Sequence, residues 1–279
     1  MEKLKVASLF CGCGGTDVGL LGGFDFLGKH YDSNGMKIVY ANDIDDNACN
    51  IFRENFGITP DNRDIREVKS EEIPDFDILT GGFPCQSFSI IAQNPKRLGV
   101  KDERGKLFFE MCRILRERQP KCFIAENVKG ILTANKKSAF PLILKEFEDS
   151  GYDVQYRILN SANYGVPQKR ERVIIVGFRK DLNIDFAFPD VEIEDENNFA
   201  SLKDVIEKQV DEKYFFSERA VAGMMKKRES MNKGRAQDIN KPCNTVGAHL
   251  AKVSLNSTDP VLMEGKRYRR FTPREVARI

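Results

Sequence analysis

Near its amino terminus the chain carries the apolar stretch Leu4-Lys5-Val6-Ala7-Ser8-Leu9-Phe10, which runs directly into Cys11-Gly12-Cys13-Gly14-Gly15. The apolar stretch predicts a short buried strand, the glycines predict a tight turn, and Thr16 then starts a helix. Glycine lets a ligand approach the backbone closely, and the first turn of a helix offers unpaired amides. Strand, glycine turn and helix in this order predict an α/β sheet with a nucleotide-type ligand at its edge.

The residue at position 17 argues against one class of ligand. A dinucleotide-binding turn that starts at Gly12 needs a third glycine or an alanine at its sixth position, where this chain has Asp17. The chain also has no Gly-Lys-Ser/Thr phosphate loop, which disfavours ATP hydrolysis. A nicotinamide oxidoreductase is therefore a distant alternative.

Two acidic residues suit an adenosine-containing ligand. Asp43 directly follows the predicted strand at 36–42, and a carboxylate there can accept from both hydroxyls of a ribose. Asp64 is a candidate for a second polar edge of the ligand. The alternative role for an acid at this position is a helix cap, which Asp45 can supply on its own.

A second glycine turn carries the candidate nucleophile. The stretch Phe76-Asp77-Ile78-Leu79-Thr80 predicts a buried strand, and Gly81-Gly82 breaks it ahead of Phe83-Pro84-Cys85. Pro84 fixes its own φ and biases the preceding residue towards extended backbone, so the Cys85 thiol is held on a stiff segment. The alternative is a buried structural thiol. The polar, glycine-rich surroundings favour the nucleophile.

The next segment, residues 90–105, has no hydrophobic periodicity. Loops of this length are more often functional than idle, which favours a lid over the site. Arg97 and its neighbouring cations are candidates for phosphate contacts. A solvated surface loop explains this stretch equally well.

A further acid and a row of polar residues follow later strands. Glu126 comes after the predicted strand at 121–125, which places it on the same sheet edge as the thiol and lets it share a proton with a ring nitrogen. In an extended segment Gln168, Arg170 and Arg172 lie on one face. Two guanidiniums so close predict an anionic or acceptor-rich partner, such as DNA backbone or a base edge.

Composition limits the class of protein. The 279 residues are 41% hydrophobic and 31% charged with a net charge of +2, which neither demands nor excludes nucleic acid. Seven cysteines and two histidines without ligand spacing predict no disulfide framework and no metal site. Without a long apolar segment or a signal-peptide pattern, we expect a cytoplasmic protein with no membrane partner and reduced thiols.

Taken in order, these residues resemble the motifs of the DNA (cytosine-5) methyltransferase family. The matching segments are Phe10-x-Gly12-x-Gly14-Gly15, Asp43, Asp64, Pro84-Cys85-Gln86, Arg104-Gly105-x-Leu107-Phe108, Glu126-Asn127-Val128, Gln168-x-Arg170-x-Arg172 and Arg270-Phe271-Thr272-Pro273-Arg274-Glu275. They cover the chain apart from roughly residues 181–265. The resemblance implies an α/β fold, a Rossmann-like S-adenosylmethionine-dependent methyltransferase sheet with a second, smaller target-recognition domain. The implied divisions are 1–180 for the catalytic domain, 181–265 for target recognition and 266–279 for a return to the catalytic domain.

The resemblance also implies the chemistry. Cys85 would attack C6 of a flipped-out cytosine in a specific duplex DNA sequence, and C5 would then take the methyl group of S-adenosylmethionine. Glu126 would hold the N3 edge, Arg172 would contact the base oxygen, and Arg170 would support the catalytic loop or the thiolate. A base stacked inside a duplex cannot be attacked above C6, which is why it must be flipped out.

Two further sets of residues follow from the resemblance. The implied cofactor set is Phe10, Gly12, Gly14, Gly15, Asp43, Ile44, Asp64, Ile65, Pro84 and Leu107. The implied DNA-binding set is Gln86, Ser87, Arg97, Gln168 and Thr245, with Thr245 beside the flipped base. The family often has a bulky aromatic residue where this chain has Ile44.

The last residues, Arg274-Glu275-Val276-Ala277-Arg278-Ile279, resemble the opening of a helix. Family members continue into a last motif, so we expect a truncated chain or a second polypeptide that supplies the remainder. The main expectation is the methylase of a restriction-modification system. The alternatives are a transfer RNA cytosine-5 methyltransferase, one subunit of a split enzyme, and an inactive DNA-binding remnant.

Overall fold

The computed structural model describes residues 2–84, 107–225, 236–247, 250 and 260–279. These residues divide into two compact units: unit 1 lies within 1–158 and 172–188, and unit 2 lies within 159–171 and 189–279. The segment 266–279, for which the sequence implies a return to the catalytic domain, is grouped with unit 2. The functional division at residues 180 and 265 stays a prediction. No helix in the described ranges has the length and apolar content to cross a membrane.

The predicted α/β sheet is present in the described part of the chain. Its strands run in the order β4-β1-β5-β6-β9-β7. Strands β4, β1, β5 and β6 are parallel to one another, whereas β9 runs antiparallel to β6. The described strands are β1 (Leu4–Leu9), β2 (Phe24–Phe26), β3 (Lys29–Tyr31), β4 (Met36–Asn42), β5 (Ile78–Gly81), β6 (Cys122–Val128), β7 (Tyr152–Asn160), β8 (Gln168–Lys169), β9 (Glu171–Arg179), β10 (Cys243–Asn244), β11 (Leu262–Glu264) and β12 (Arg267–Arg269).

Helices cover the sheet of unit 1 through aromatic and aliphatic side chains. The described helices are α1 (Gly15–Leu21), α2 (Asp46–Phe56), α3 (Leu107–Arg118), α4 (Ala139–Asp149), α5 (Glu218–Met225) and α6 (Pro273–Ala277). Phe108 of α3 and Phe147 of α4 are fully buried and pack edge to face, and Phe123 of β6 packs against Phe147 with ring centroids 4.4 Å apart. This aromatic cluster fixes the spacing between the sheet and the two helices.

Gly177 of β9 lies over the ring of Phe123. A Cβ atom at Gly177 would fall 2.0 Å from that ring, and the ring is fully buried, so it has no room to move aside.

We therefore expect Gly177→Ala to destabilise the protein by about 1–3 kcal/mol, as is usual for overpacking a core. The measurement is urea unfolding followed by circular dichroism. Gly19→Ala is the matched control, because Gly19 lies in α1 with open space around it and should gain about 0.5–1 kcal/mol from the better helix propensity of alanine. Equal stability changes in the two variants would contradict this packing account.

Unit 2 is held by a buried ion pair. Arg269 donates through Nη1 and Nη2 to the two carboxylate oxygens of Glu275, both at 2.8 Å, and the side chains are 2% and 0% exposed. The amides of Thr272 and Glu207 also donate to this carboxylate. Burial alone would raise the pKa of Glu275, but the Arg269 guanidinium and these amides hold the pKa below its usual value. The motif Arg270–Glu275 thus gains its fixed conformation from long-range contacts.

Glu275→Gln should destabilise the protein by about 3 kcal/mol, because it leaves the buried guanidinium with only the half-exposed Glu264 as a counter-charge. The matched control is Glu212→Gln, which removes the partner of Arg267 in an exposed pair of the same unit and should change stability by less than about 1 kcal/mol. Chemical unfolding of both variants measures the difference. Similar losses of stability in the two variants would contradict a larger contribution from the buried Arg269–Glu275 pair than from the exposed one.

Candidate active site at the carboxyl edge of the sheet

The residues that the sequence assigns to cofactor and base lie after parallel strands that end at one edge of the sheet. The glycine turn follows β1, Asp43 follows β4, Gly82–Pro84 follows β5, and Glu126 lies near the end of β6. Since parallel strands share their carboxyl edge, the topology brings these four segments of unit 1 together.

The turn after β1 has a backbone that few side chains tolerate. Phe10 has a φ of 53°, which is unfavourable for an aromatic residue. Gly12 has a φ of 54° and Gly14 a φ of 90°. A Cβ atom at Gly14 would lie 2.1 Å from the Phe56 ring, whereas a Cβ at Gly12 would meet no described atom within 4 Å. Gly14 is therefore needed for packing, and Gly12 leaves one side of the turn open.

Asp43 joins the end of β4 to this turn. Its Oδ2 accepts from the amide of Gly12 at 2.8 Å, and its Oδ1 accepts from the amide of Asp45 at 3.0 Å. The helix-cap alternative belongs to Asp45, whose carboxylate accepts from two amides in the first turn of α2. Each carboxylate oxygen can accept more than one hydrogen bond, so the carboxylate of Asp43 still has capacity for a ligand.

The predicted adenine contacts differ in exposure. Ile44 is 68% exposed beside Asp43, whereas Ile65 is 2% exposed within the core of unit 1. Asp64 accepts a bidentate pair from Arg66, with Oδ2 to Nη2 at 2.6 Å and Oδ1 to Nε at 2.9 Å. The Arg66 guanidinium holds the pKa of Asp64 below its usual value. Asp64 is thus an ionised acceptor. The roles of these residues stay predictions.

Glu126 and Arg172 form an ion pair that links neighbouring antiparallel strands. Glu126 Oε1 lies 2.6 Å from Arg172 Nε, and the side chains are 33% and 17% exposed. Residue 126 lies opposite Ile174, and Val128 lies opposite Arg172, so the antiparallel register brings the pair together. The carboxylate is partly open to solvent and is oriented by a fixed guanidinium, which is the arrangement needed to hold the polar edge of a base.

The segment leading to the candidate nucleophile is fixed against the same strand. Asn127 is buried and donates through Nδ2 to the carbonyl of Phe83 at 2.9 Å. A Cβ atom at Gly82 would lie 3.3 Å from Glu126 Oε2, so the glycine leaves room for the carboxylate. Pro84 is half-buried and is the last residue before the gap in the described ranges. The backbone that precedes Cys85 is therefore held beside Glu126.

Several predicted site residues fall outside the described residues. They are Cys85, Gln86, Ser87 and Arg97, together with the expected lid at 90–105. Leu107 begins α3 and packs against the core of unit 1. The roles of all of these residues stay predictions.

Gln168, Arg170 and Thr245 belong to unit 2, whereas Arg172 belongs to unit 1. Gln168 is 2% exposed and donates through Nε2 to the carbonyl of Ile279 at 2.6 Å. Thr245 Oγ1 donates to the carbonyl of Lys169 at 2.7 Å, next to the pairing of β8 with β10. The Arg170 amide donates to Asn160 Oδ1 at 3.1 Å. Their predicted contacts with DNA or with the thiolate stay predictions.

Sequence reasoning missed three contributors. Asn127 stands inside a motif that the sequence singles out, but its role in holding Phe83 depends on the fold. For Gly82, the sequence pattern indicates only that it breaks the predicted strand. Asp17 was interpreted only as a break in a fingerprint, yet it is fully buried in the first turn of α1 and neither of its carboxylate oxygens has a hydrogen-bond partner among the described residues.

Burial raises the pKa of Asp17 to about 6, and the nearby Ser8 hydroxyl and the backbone offset this only in part. The folded protein therefore binds this proton more tightly than the unfolded chain, so the contribution of Asp17 to stability is lost as pH rises from about 4 to 6.

Relative to Asp17→Asn, the wild-type protein should lose up to about 3 kcal/mol of stability between pH 4 and pH 7. Urea unfolding of both proteins across this range measures the difference. Parallel stability profiles would contradict the buried ionisable carboxyl.

Comparisons with known proteins agree with this geometry. A sequence model of the C-5 cytosine-specific DNA methylase family matches residues 4–279. The Type II methyltransferase M.NgoFVII of Neisseria gonorrhoeae is 45% identical over 68% of this chain and 47% of that protein. The Type II methyltransferase M.FnuDI of Fusobacterium nucleatum is 36% identical over 99% of this chain and 83% of that protein. The chain thus spans about half the length of the first relative and most of the second.

Solved structures give the same fold. The Dnmt2 methyltransferase of S. pombe superposes with a TM-score of 0.75 at 20% identity, covering 99% of this chain and 86% of that one. The Entamoeba histolytica methyltransferase EhMeth superposes with a TM-score of 0.75 at 18% identity, covering 99% of this chain and 85% of that one. At these identities the likeness is one of fold, and it confirms the predicted methyltransferase-type sheet.

Proposed function

This chain belongs to the C-5 cytosine-specific DNA methylase family, and from that premise we propose that it transfers a methyl group from S-adenosylmethionine to C5 of a flipped-out cytosine in duplex DNA. The observation that carries the proposal is the Glu126–Arg172 pair beside the segment that leads to Cys85. A carboxylate oriented by a guanidinium, next to the segment that leads to a candidate nucleophile, suits the activation of an electron-poor ring.

The glycine turn and its neighbours fit the proposed cofactor. Gly12 leaves open space where any larger residue would place a Cβ. Asp43 has remaining acceptor capacity for a ribose, and Ile44 offers an exposed apolar face for the adenine. Phe10, Gly14, Gly15, Asp64, Ile65, Pro84 and Leu107 complete the set that we propose to hold the cofactor. When bound, S-adenosylmethionine supplies an electrophilic methyl group.

The residues of this chain then divide the reaction between them. The Cys85 thiolate forms a bond to C6 of cytosine, and Glu126 holds a proton at N3, so that the ring electrons move to C5. After C5 has taken the methyl group, it loses its proton to a base, and the C6–sulfur bond breaks to return the thiolate. Arg172 keeps Glu126 oriented and is close enough to that carboxylate to contact the base oxygen as well.

The proposed substrate is duplex DNA with a specific sequence. Both of these relatives are Type II methyltransferases, which supports the methylase of a restriction-modification system. We propose Gln86, Ser87, Arg97, Gln168 and Thr245 as DNA contacts and Arg170 as a support for the catalytic loop. The comparisons lend no support to the second polypeptide that the sequence suggests.

The test is transfer of a labelled methyl group to random-sequence duplex DNA and, in parallel, to transfer RNA. We expect label in DNA only, recovered as 5-methylcytosine in one sequence context. Label in transfer RNA alone would replace this proposal with the RNA alternative. Label in neither, with intact binding of DNA, would favour the inactive DNA-binding remnant.

A further inference from the structure

Asp17 takes no part in the proposed reaction, yet its burial destabilises the folded protein. Its carboxylate is fully buried with the Ser8 hydroxyl nearby but no well-formed hydrogen bond among the described residues, and the hydroxyl of Thr80, which is 1% exposed, also lacks a partner there. Thr80 of β5 lies directly opposite Ser8 of β1 in the sheet register. A buried polar group without a partner costs about 1–3 kcal/mol, so these two groups need an explanation.

The position of Asp17 relates it to the proposed cofactor site. It lies in the first turn of α1, two residues after Gly15. The Cys11 thiol is within electrostatic reach of both Asp17 and Asp43, because burial first and then these two carboxylates raise the pKa of Cys11. Asp43 in turn accepts from Gly12. Asp17 is thus a buried carboxyl in the helix that follows the turn, and Asp43 is a half-buried carboxylate hydrogen-bonded to the turn itself.

We propose that Asp17 is a specificity-determining residue, an inference that rests on the proposed cofactor site. Asp17 favours S-adenosylmethionine, which has a positively charged sulfur, over the reaction product S-adenosylhomocysteine, whose sulfur is neutral. The cofactor carries a sulfonium charge that disappears when the methyl group leaves. A carboxylate shielded from water interacts with a charge over several ångströms, because the surrounding dielectric constant is low. The ionised Asp17 therefore stabilises the bound cofactor. It provides no comparable electrostatic stabilisation of the bound product, and this difference promotes release of the product.

The charge state of Asp17 makes this inference measurable. Burial raises its pKa to about 6, so near that pH the free protein holds a mixture of protonated and ionised Asp17. In the described part, the titratable group within electrostatic reach of Asp17 is Cys11. Cys11 is in turn within reach of Asp43 at the end of β4 and of Cys49 of α2, whose pKa is also raised, mainly by burial. Both thiols stay neutral at pH 6, because burial raises their pKa. A bound cation shifts Asp17 to its ionised form and releases a proton.

The experiment is isothermal titration calorimetry at pH 6 in two buffers with different ionisation enthalpies, with S-adenosylmethionine and with S-adenosylhomocysteine. Both compounds carry the same amino-acid group, so its proton exchange cancels in the comparison. We expect about half a proton to be released on binding the cofactor and much less on binding the product. The ratio of the two affinities should rise by about fivefold between pH 5 and pH 7.5, as expected when the cofactor lowers the pKa of Asp17 by about one unit.

Asp17→Asn should remove the difference in proton release and the pH dependence of the affinity ratio. The matched control is Asp46→Asn, which changes an exposed carboxylate of α2 and should leave both unchanged. Equal proton release for the two compounds in the wild-type protein would overturn the role of Asp17 and leave the proposed function intact. Failure to bind either compound would overturn the proposed function and this inference with it. The wild-type measurement decides the matter even if Asp17→Asn does not fold.

Discussion

Cys85→Ala is expected to abolish methyl transfer to DNA, with a loss on the order of 10⁴-fold or more, while the affinity for S-adenosylmethionine changes less than about threefold. The reason is that the thiolate alone makes the covalent bond to C6, and removal of a nucleophile leaves only binding and orientation. Apart from Pro84, which the variant leaves unchanged, the proposed cofactor residues lie on other segments, so the cofactor should still bind. The measurements are labelled methyl transfer and calorimetric binding of the cofactor.

The assignment of Cys85 as the nucleophile requires that the variant loses methyl transfer but keeps cofactor binding. Loss of transfer and of cofactor binding together would indicate that Cys85 is structural, which is the alternative reading of a cysteine in this position. Substantial residual transfer would mean that another group attacks the base. A circular dichroism spectrum that matches the wild type checks that the variant is folded.

Glu126→Gln should lower transfer by about 10³–10⁴-fold, the upper part of the range for a positioned proton donor. The amide keeps the shape of the side chain but cannot hold the proton at N3, and it removes the negative charge opposite Arg172 at 2.6 Å. Because both groups remain partly exposed, water can replace the lost contact. We therefore expect the stability to fall by less than about 1 kcal/mol.

Glu148→Gln on α4 is the matched control, because that side chain is exposed and belongs to no proposed site. It should retain full transfer. If Glu126→Gln retained transfer while losing several kcal/mol of stability, Glu126 would be a structural partner of Arg172 and not a group that acts on the base.

The parts of the fold that local patterns encode could be predicted from the sequence. The apolar run at β1, the glycine turn and the start of α1 were predicted and are confirmed. The sequence also named Asp45 as the possible helix cap, and the structure assigns it that role, which leaves Asp43 for a ligand. In each case a propensity or a side-chain hydrogen bond acts within a few residues.

Long-range contacts could not be predicted in the same way. The Glu126–Arg172 ion pair depends on β9 pairing antiparallel with β6, and no local pattern gives that register. The closeness of Gly177 to Phe123 has the same origin. Burial of Asp17 is invisible in a sequence, because an acid in the first turn of a helix usually faces solvent. The sequence identifies candidate residues, but it does not show which side chains surround them in the folded protein.

The most direct test of the central claim is covalent trapping. The chain is incubated with S-adenosylmethionine and random-sequence duplex DNA in which 5-fluorocytosine replaces cytosine, and is then run on a denaturing gel. Fluorine at C5 cannot leave as a proton, so the adduct between Cys85 and C6 should persist after methyl transfer. The account predicts a DNA-linked band for the wild type and none for Cys85→Ala. A band that persists in Cys85→Ala, or no band from a wild-type protein that binds both cofactor and DNA, would contradict it.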